Sequence, residues 1–101
     1  MNALHTVNKS PFEKRSFDSC MGHILEGSAV LLYEDGVYAA MKGTAMEGKV
    51  KSAQGVRFYV LGPDLKARGV SEERVIDGVE IVDYAGFVDL AAELDKVVAW
   101  V

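Results

Sequence analysis

The sequence predicts a small single-domain α/β protein with a mainly parallel sheet of about four strands flanked by helices. Residues 29–33 form an almost purely apolar stretch without alternation, which is typical of a strand covered on both faces. The polar turn at residues 34–36 follows, and Val37 and Met41, four apart, then begin a helix face. Strand, turn and helix in this order make half of a βαβ unit, which the remaining segments repeat. The 101 residues are enough for one domain, residues 1–101, and too few for two.

The N-terminal segment predicts a strand and then a helix. The strand is the β-prone run at residues 4–7. The helix has two candidate N-caps, Ser10, which is followed by Pro and Glu in a capping-box pattern, and Ser16. Its apolar stripe, at positions i, i+3, i+4, i+7 and i+8, consists of Phe17, Cys20, Met21, Ile24 and Leu25. Gly27 is expected to end this helix.

The middle of the chain predicts two helices around a third strand. Thr44 begins a second capping box, and Met46 and Val50 form the buried side of the helix that it starts. Residues 56–61 are the third strand, rich in aromatic and β-branched side chains. A short helix then runs from Pro63, a favoured first helical residue, to about Arg68.

The C-terminal third predicts a fourth strand, a last helix and an apolar tail. Residues 79–82 are the strand, and the apolar residues of 87–94 mark an amphipathic helix. Residues 97–101 are Val-Val-Ala-Trp-Val, an unusually apolar chain end. Because aromatic residues are enriched at interfaces, this tail is predicted to contact another protein.

Composition excludes several classes of function. The net charge is −4 and the basic residues are scattered, so no direct nucleic-acid partner is expected. No apolar run approaches the ~20 residues of a membrane-spanning helix, so no membrane partner is expected. Residues 1–6 lack the features of a secretory signal, which predicts a cytoplasmic location. The one cysteine, Cys20, cannot form an internal disulfide.

Polar residues at the carboxyl ends of the predicted strands are the first candidate site, because ligands of open α/β sheets bind there. Ordinary polar loops at strand ends are the favoured interpretation of the same residues. They are Asn8 to Ser10, Asp35-Gly36, Gly62 to Asp64, and Asp83-Tyr84. The sequence carries neither G-x-G-x-x-G after the first strand nor a P-loop motif, so no nucleotide cofactor is expected. Asp35 and Asp83, taken to end adjacent strands, could act as acid and base, but helix capping is the favoured interpretation for both.

Cys20 and His23 are the second candidate site, because residues three apart are neighbours on a helix. A histidine beside a thiol lowers the thiol pKa and raises its reactivity. A start at Ser16 would add the helix dipole to this effect, and Cys20 is expected at the partly exposed border of the apolar stripe. The alternative is a buried packing residue, the usual state of cysteine. With His5 as the only other histidine, a closed zinc site would need a carboxylate or a second chain, so no metal is expected.

Five segments, in order, resemble the DsrH/TusB family of sulfur-relay proteins. The central one, Leu-Leu-Tyr-Glu-Asp-Gly-Val-Tyr-Ala-Ala at residues 31–40, is similar to the family pattern LLxxDGVxAA. The others are residues 4–7 followed by Ser10-Pro11, residues 67–69, residues 81–88, and residues 99–100.

This resemblance implies a DsrE-like subunit of a cytoplasmic heterohexamer with two copies each of three related chains. These are DsrE, DsrF and DsrH in sulfur oxidisers, or TusD, TusC and TusB in tRNA thiolation. The complex passes persulfide sulfur to an acceptor of the DsrC/TusE type. The resemblance also implies that the principal carrier cysteine belongs to the DsrE/TusD-type partner, which leaves open whether this chain is itself catalytic.

Cys20 separates the two branches of the family. TusB-type chains generally have an apolar residue there, whereas DsrH-type chains of sulfur oxidisers have a cysteine. The resemblance therefore favours the DsrH type and intracellular sulfur oxidation, with Cys20 as the candidate catalytic sulfur carrier. The alternatives are a TusB-like subunit of the tRNA 2-thiouridine relay and a purely structural subunit that carries no sulfur.

Overall fold

The computed structural model describes residues 3–94 and 96–101. Its five strands are β1 (Ala3–Val7), β2 (Ala29–Leu32), β3 (Arg57–Leu61), β4 (Val79–Val82) and β5 (Lys96–Trp100). The α-helices are α1 (Ser16–His23), α2 (Ala45–Ser52), α3 (Gly62–Ala67) and α4 (Tyr84–Glu93). Two 3₁₀ segments lie at Glu34–Ala40 and Glu72–Arg74. The strands form one parallel sheet in the order β4-β3-β2-β1-β5, which confirms the predicted α/β class.

The apolar tail is the fifth strand, so the prediction of about four strands was one short. β5 pairs in parallel with β1, from Ala3 opposite Lys96 to Val7 opposite Trp100. The β-branched residues of the tail suit a strand, and the edge of β1 opposite β2 offers it a hydrogen-bonding partner. β5 consequently becomes one edge of the sheet.

Helix α1 begins at Ser16, the later of the two candidate starts. Ser10 instead organises a turn, in which its hydroxyl accepts from the Phe12 backbone N–H at 3.2 Å. The helix ends at His23, four residues before Gly27, the residue expected to end it. Gly27 lies in the following loop at φ +90°, and its N–H donates to the Gly55 carbonyl at 2.7 Å.

The elements between β2 and β3 are close to prediction. Of the helix face expected from Val37 and Met41, Val37 is fully buried in the 3₁₀ segment, whereas Met41 lies just beyond the segment in extended backbone. Thr44 is the N-cap of α2 as predicted, because its Oγ1 accepts from the Met46 N–H at 3.3 Å; the Glu47 side chain reaches back one residue further than in a capping box, to the Gly43 N–H at 2.9 Å. The bond to Thr44 satisfies one of the donors that a helix start leaves free.

The two faces of the sheet are packed unequally. Helices α1 and α2 and the first 3₁₀ segment contribute to the larger core, on one face. Helix α4 packs on the other face through Leu90 and Leu94, which lie against Leu4, Leu31 and Tyr59. The larger core therefore holds most of the buried side chains, Cys20 among them.

Candidate functional site

The carboxyl ends of β1, β2 and β3 are joined by a short chain of polar contacts. Asn8 Nδ2 donates to Glu34 Oε1 at 3.1 Å, and the Glu34 backbone N–H donates to Asp64 Oδ2 at 2.6 Å. Glu34 adopts φ +48°, a left-handed conformation that is uncommon for a residue with a side chain. Asn8 and Asp64 are among the residues predicted for this edge, whereas Glu34 is not, and the contacts of all three connect loops.

Asp35 and Asp83 are not brought together. They follow β2 and β4, which β3 separates, so the expectation that they end adjacent strands was wrong. Asp83 caps α4 as expected, since its Oδ1 accepts from the Gly86 N–H at 2.9 Å. Asp35 is not the expected cap: its carboxylate pairs with Arg68 Nε at 2.9 Å. Both carboxylates thus have structural partners.

A cleft of about 420 Å³ opens beside the ends of β3 and β4. Its lining residues are Gly62, Pro63, Ile81, Val82, Asp83 and Gly86. The only titratable side chain among them is Asp83, which already caps α4. The cleft therefore brings together no acid–base pair and no nucleophile.

Cys20 lies in the second turn of α1 with 0% of its surface exposed, so the expected partial exposure is not found. Burial raises the pKa of its thiol to about 12, the opposite of the lowering expected from a helix dipole and a neighbouring histidine. Cys20 is far enough along α1 to be surrounded by the apolar core, and desolvation of the thiolate then dominates. In this conformation the side chain is a neutral packing group.

His23 is directed to other partners. Its Nδ1 bonds the Ser19 backbone carbonyl at 2.8 Å. Its ring lies 5.5 Å from the Trp100 ring, centroid to centroid, at an interplanar angle of 34°. The His23 side chain is otherwise exposed, so its described contacts are those with Ser19 and Trp100.

His5 also contacts Trp100, although the two residues lie at opposite ends of the chain. Trp100 Nε1–H donates to His5 Nδ1 at 3.0 Å, and the two rings are stacked with centroids 6.1 Å apart. Burial, and secondarily the charge of Lys96, lowers the His5 pKa below 6.5. Sequence reasoning missed this contact because the two residues are 95 positions apart and only strand order brings them together.

Neither a metal centre nor a membrane span is found in the part of the chain that the structure describes. No three His, Cys, Asp or Glu side chains among residues 3–94 and 96–101 are grouped closely enough to hold a metal ion. Over the same residues, no helix has the length and apolar character needed to cross a membrane.

Sequence comparisons relate the chain to one family over nearly its whole length. The family model described as "DsrH like protein" matches residues 9–97. Protein TusB of Pectobacterium parmentieri is 37% identical over 97 residues, which cover 96% of this chain and 99% of the relative. Protein TusB of Escherichia coli K12 is 32% identical over the same shares of the two chains.

Solved structures show the same fold. The ychN protein from E. coli superposes with a TM-score of 0.81 at 20% identity, over 99% of this chain and 100% of that one. A protein of unknown function from Methanobacterium thermoautotrophicum superposes with a TM-score of 0.69 at 19% identity, over 91% of each chain. These similarities confirm the small parallel α/β architecture.

Proposed function

The chain belongs to the DsrH/TusB family of sulfur-relay proteins, and we propose that it is one subunit of a relay complex that serves tRNA 2-thiolation. The observation that carries this proposal is the 37% identity to a protein TusB over 96% of the chain. The similarity is spread over the whole domain, so it supports a shared role as well as a shared fold.

The environment of Cys20 removes the main reason for preferring sulfur oxidation. That preference depends on a cysteine where TusB-type chains generally have an apolar residue. Cys20 is fully buried among apolar side chains, and its raised pKa keeps it neutral. A buried neutral cysteine behaves as a small hydrophobic residue, so it fits a TusB-type position as well.

The proposed relay places the sulfur chemistry on partner chains. In such a transfer an acceptor thiolate attacks the outer sulfur of a carrier persulfide; the sulfur–sulfur bond breaks and the carrier leaves as a thiolate. No external oxidant or reductant is consumed. An acceptor thiol must be both accessible and ionised, and Cys20 at 0% exposure with a pKa of about 12 is neither. We therefore assign the carrier cysteine to the TusD-like partner and a structural role to this chain.

Exposed apolar side chains on the α4 face of the sheet support a subunit role. Tyr84 and Val88, one turn apart on α4, are 60% and 66% exposed. Val97 and Val101 of the β5 segment are 50% and 83% exposed, and they alternate with Trp100, so they belong to this same face. We assign this surface to contacts with TusC-like and TusD-like chains in a cytoplasmic heterohexamer, from which a TusE-type protein takes the sulfur.

Loss of the gene in its host tests the proposal. We expect thiolated uridine in tRNA, measured by mass spectrometry of nucleosides, to fall, and to return when either the unchanged chain or Cys20→Ala is supplied. Unaltered thiolation with impaired oxidation of reduced sulfur would instead establish the DsrH-type alternative. Restoration by the unchanged chain but not by a folded Cys20→Ala would show that Cys20 carries sulfur.

A further inference from the structure

Three rings from three elements meet at the last strand: His5 of β1, His23 of α1 and Trp100 of β5, here called the three-ring cluster. Trp100 is in the middle, bonded and stacked to His5 on one side and packed against His23 on the other. β5 has a single neighbour in the sheet, β1. The side-chain contacts of the cluster therefore help to hold the end of an edge strand on the sheet.

The hydrogen bond determines the protonation state of His5. An indole N–H can only donate, so His5 Nδ1 must present a lone pair, and the neutral ring carries its proton on Nε2. Protonation of the ring would turn Nδ1 into a second donor facing the first. The bond would be lost, and a positive charge would be left on a side chain that is 7% exposed.

His23 responds to a proton in the opposite way. Its Nδ1 bonds a backbone carbonyl, which can only accept, so the proton is on Nδ1 and Nε2 is the atom that takes a second one. Protonation therefore leaves the bond to Ser19 intact.

The charges around His5 oppose its protonation. On β5 the charged group is Lys96, which adds to burial in lowering the His5 pKa. On α1 the titratable ring of the cluster is His23, which packs against Trp100; of the other titratable residues of α1, Asp18 is paired with Lys49 and Cys20 is buried in the apolar core. The neighbouring strand β2 contributes only Ala, Val and Leu. Proton binding at His5 is thus coupled to the position of Trp100 by direct contact.

We propose that the His5–Trp100 pair is a proton-sensitive latch, in which neutral His5 holds β5 on the sheet and protonated His5 releases Trp100 toward His23. The inference is independent of the sulfur-relay role. Because the His5 pKa is lowered in the folded state, the latch is fully closed above pH 6.5 and opens as the pH falls through the lower, folded value. Opening loosens the edge strand that carries the exposed Val97.

Hydrogen exchange of the β5 amides in the intact chain tests the latch. We compare the unchanged chain with His5→Gln, which keeps an acceptor but does not titrate, and with His23→Gln as the matched control, between pH 7.5 and 4.5. Exchange rates are first corrected for the intrinsic effect of pH. As the pH falls, the protection of the β5 amides relative to those of β3 should then decrease by up to about tenfold for each unit by which the His5 pKa differs between the closed and the open latch. The fall should be absent in His5→Gln and present in His23→Gln. An equal fall in His5→Gln, or a joint loss of protection in β3, would overturn the proposal.

Nitrogen-15 NMR of the unchanged chain keeps the test independent of how the variants fold. His5 should show the neutral Nε2–H tautomer at pH 7.5, and the Trp100 indole resonance should shift with the same midpoint as His5 titration. An Nδ1–H tautomer, or an indole resonance that ignores His5 protonation, would overturn the latch.

Discussion

Gly36 lies directly against the carbonyl group of Val7, at the carboxyl end of β1. A Cβ added to Gly36 would be 2.9 Å from the Val7 carbonyl carbon and closer still to its oxygen. The obstacle is backbone, which cannot rotate away as the end of a flexible side chain can. The glycine of the Asp-Gly-Val segment is therefore required for close approach of the first 3₁₀ segment to β1.

Gly36→Ala should consequently destabilise the fold, because the 3₁₀ segment must move away from β1 to make room for the methyl group. We expect the free energy of unfolding, measured by urea denaturation, to fall by about 1–3 kcal/mol, the range for overpacked sites. A loss below about 0.5 kcal/mol, the size of ordinary surface substitutions, would contradict this steric argument.

Gly48→Ala is the matched control for that substitution. Gly48 lies inside α2, and an added Cβ would have no heavy atom within 4 Å. We expect stability to rise by up to about 1 kcal/mol, since alanine is the better helix former. Opposite signs for the two glycines, measured in the same denaturant series, would separate close approach from helix propensity.

Cys20 should resist alkylation at neutral pH, because the thiol is fully buried and its pKa is raised to about 12. Mass spectrometry after treatment with iodoacetamide should show modification only when the chain is unfolded. Rapid modification of the native chain would indicate a conformation in which Cys20 reaches solvent.

The stability of Cys20 variants should depend on the polarity of the new side chain as well as on its size. A serine hydroxyl left without a partner at this site would cost about 1–3 kcal/mol, so the small size change does not make Cys20→Ser harmless. Cys20→Ala leaves a small cavity and should cost less. If thermal denaturation shows Cys20→Ser to be as stable as the unchanged chain, the site is more polar or more open than described.

Much of this fold could be predicted from sequence because its elements are marked locally. The β3 and β4 strands, the Thr44 cap and the Asp83 cap all lie where nearby residue patterns indicate. The fifth strand could not be predicted, because nothing local in the tail shows that β1 has a free edge with which it can pair. Two contacts depend on strand order, the one between His5 and Trp100 and the pair of Asp35 with Arg68. Their partners are distant in the sequence, so no local residue pattern indicates them.

Trp100→Phe should reduce stability in a pH-dependent way. Phenylalanine keeps a ring between the two histidines but removes the indole N–H that His5 accepts. We expect a loss of about 1 kcal/mol near pH 7.5, typical of one hydrogen bond. The unchanged chain loses this contribution as the pH falls below 6.5 and through the lowered His5 pKa, so the difference between the two chains should shrink there. A difference independent of pH in denaturation curves would mean that only the ring size matters.

Direct binding to tRNA should be absent, although the proposed pathway ends on tRNA. The chain carries a net charge of −4, and salt-sensitive binding needs clustered Lys and Arg. Fluorescence anisotropy with labelled tRNA in about 50–200 mM salt should show no saturable binding by the isolated chain. Micromolar affinity that weakens steeply with salt would contradict both the charge argument and a role confined to sulfur handling.

Val88→Glu should impair assembly while leaving the chain folded. Val88 is 66% exposed beside Tyr84 on α4, so a glutamate there stays in water in the isolated chain and is buried without a partner only in a complex. Leu25→Glu is the matched control, since Leu25 is an apolar residue with 63% exposure that follows α1, a helix on the other face of the sheet.

The two variants are compared by co-expression with TusC-like and TusD-like chains and by size-exclusion chromatography, with urea denaturation of each isolated chain as the check on folding. Burial of one unpaired charge costs several kcal/mol, so Val88→Glu should weaken association by at least about tenfold, whereas Leu25→Glu should assemble as the unchanged chain does. Normal assembly of Val88→Glu together with failure of Leu25→Glu would indicate that the interface is on the α1 face. Equal assembly of both variants would mean that neither exposed side chain is covered by a partner.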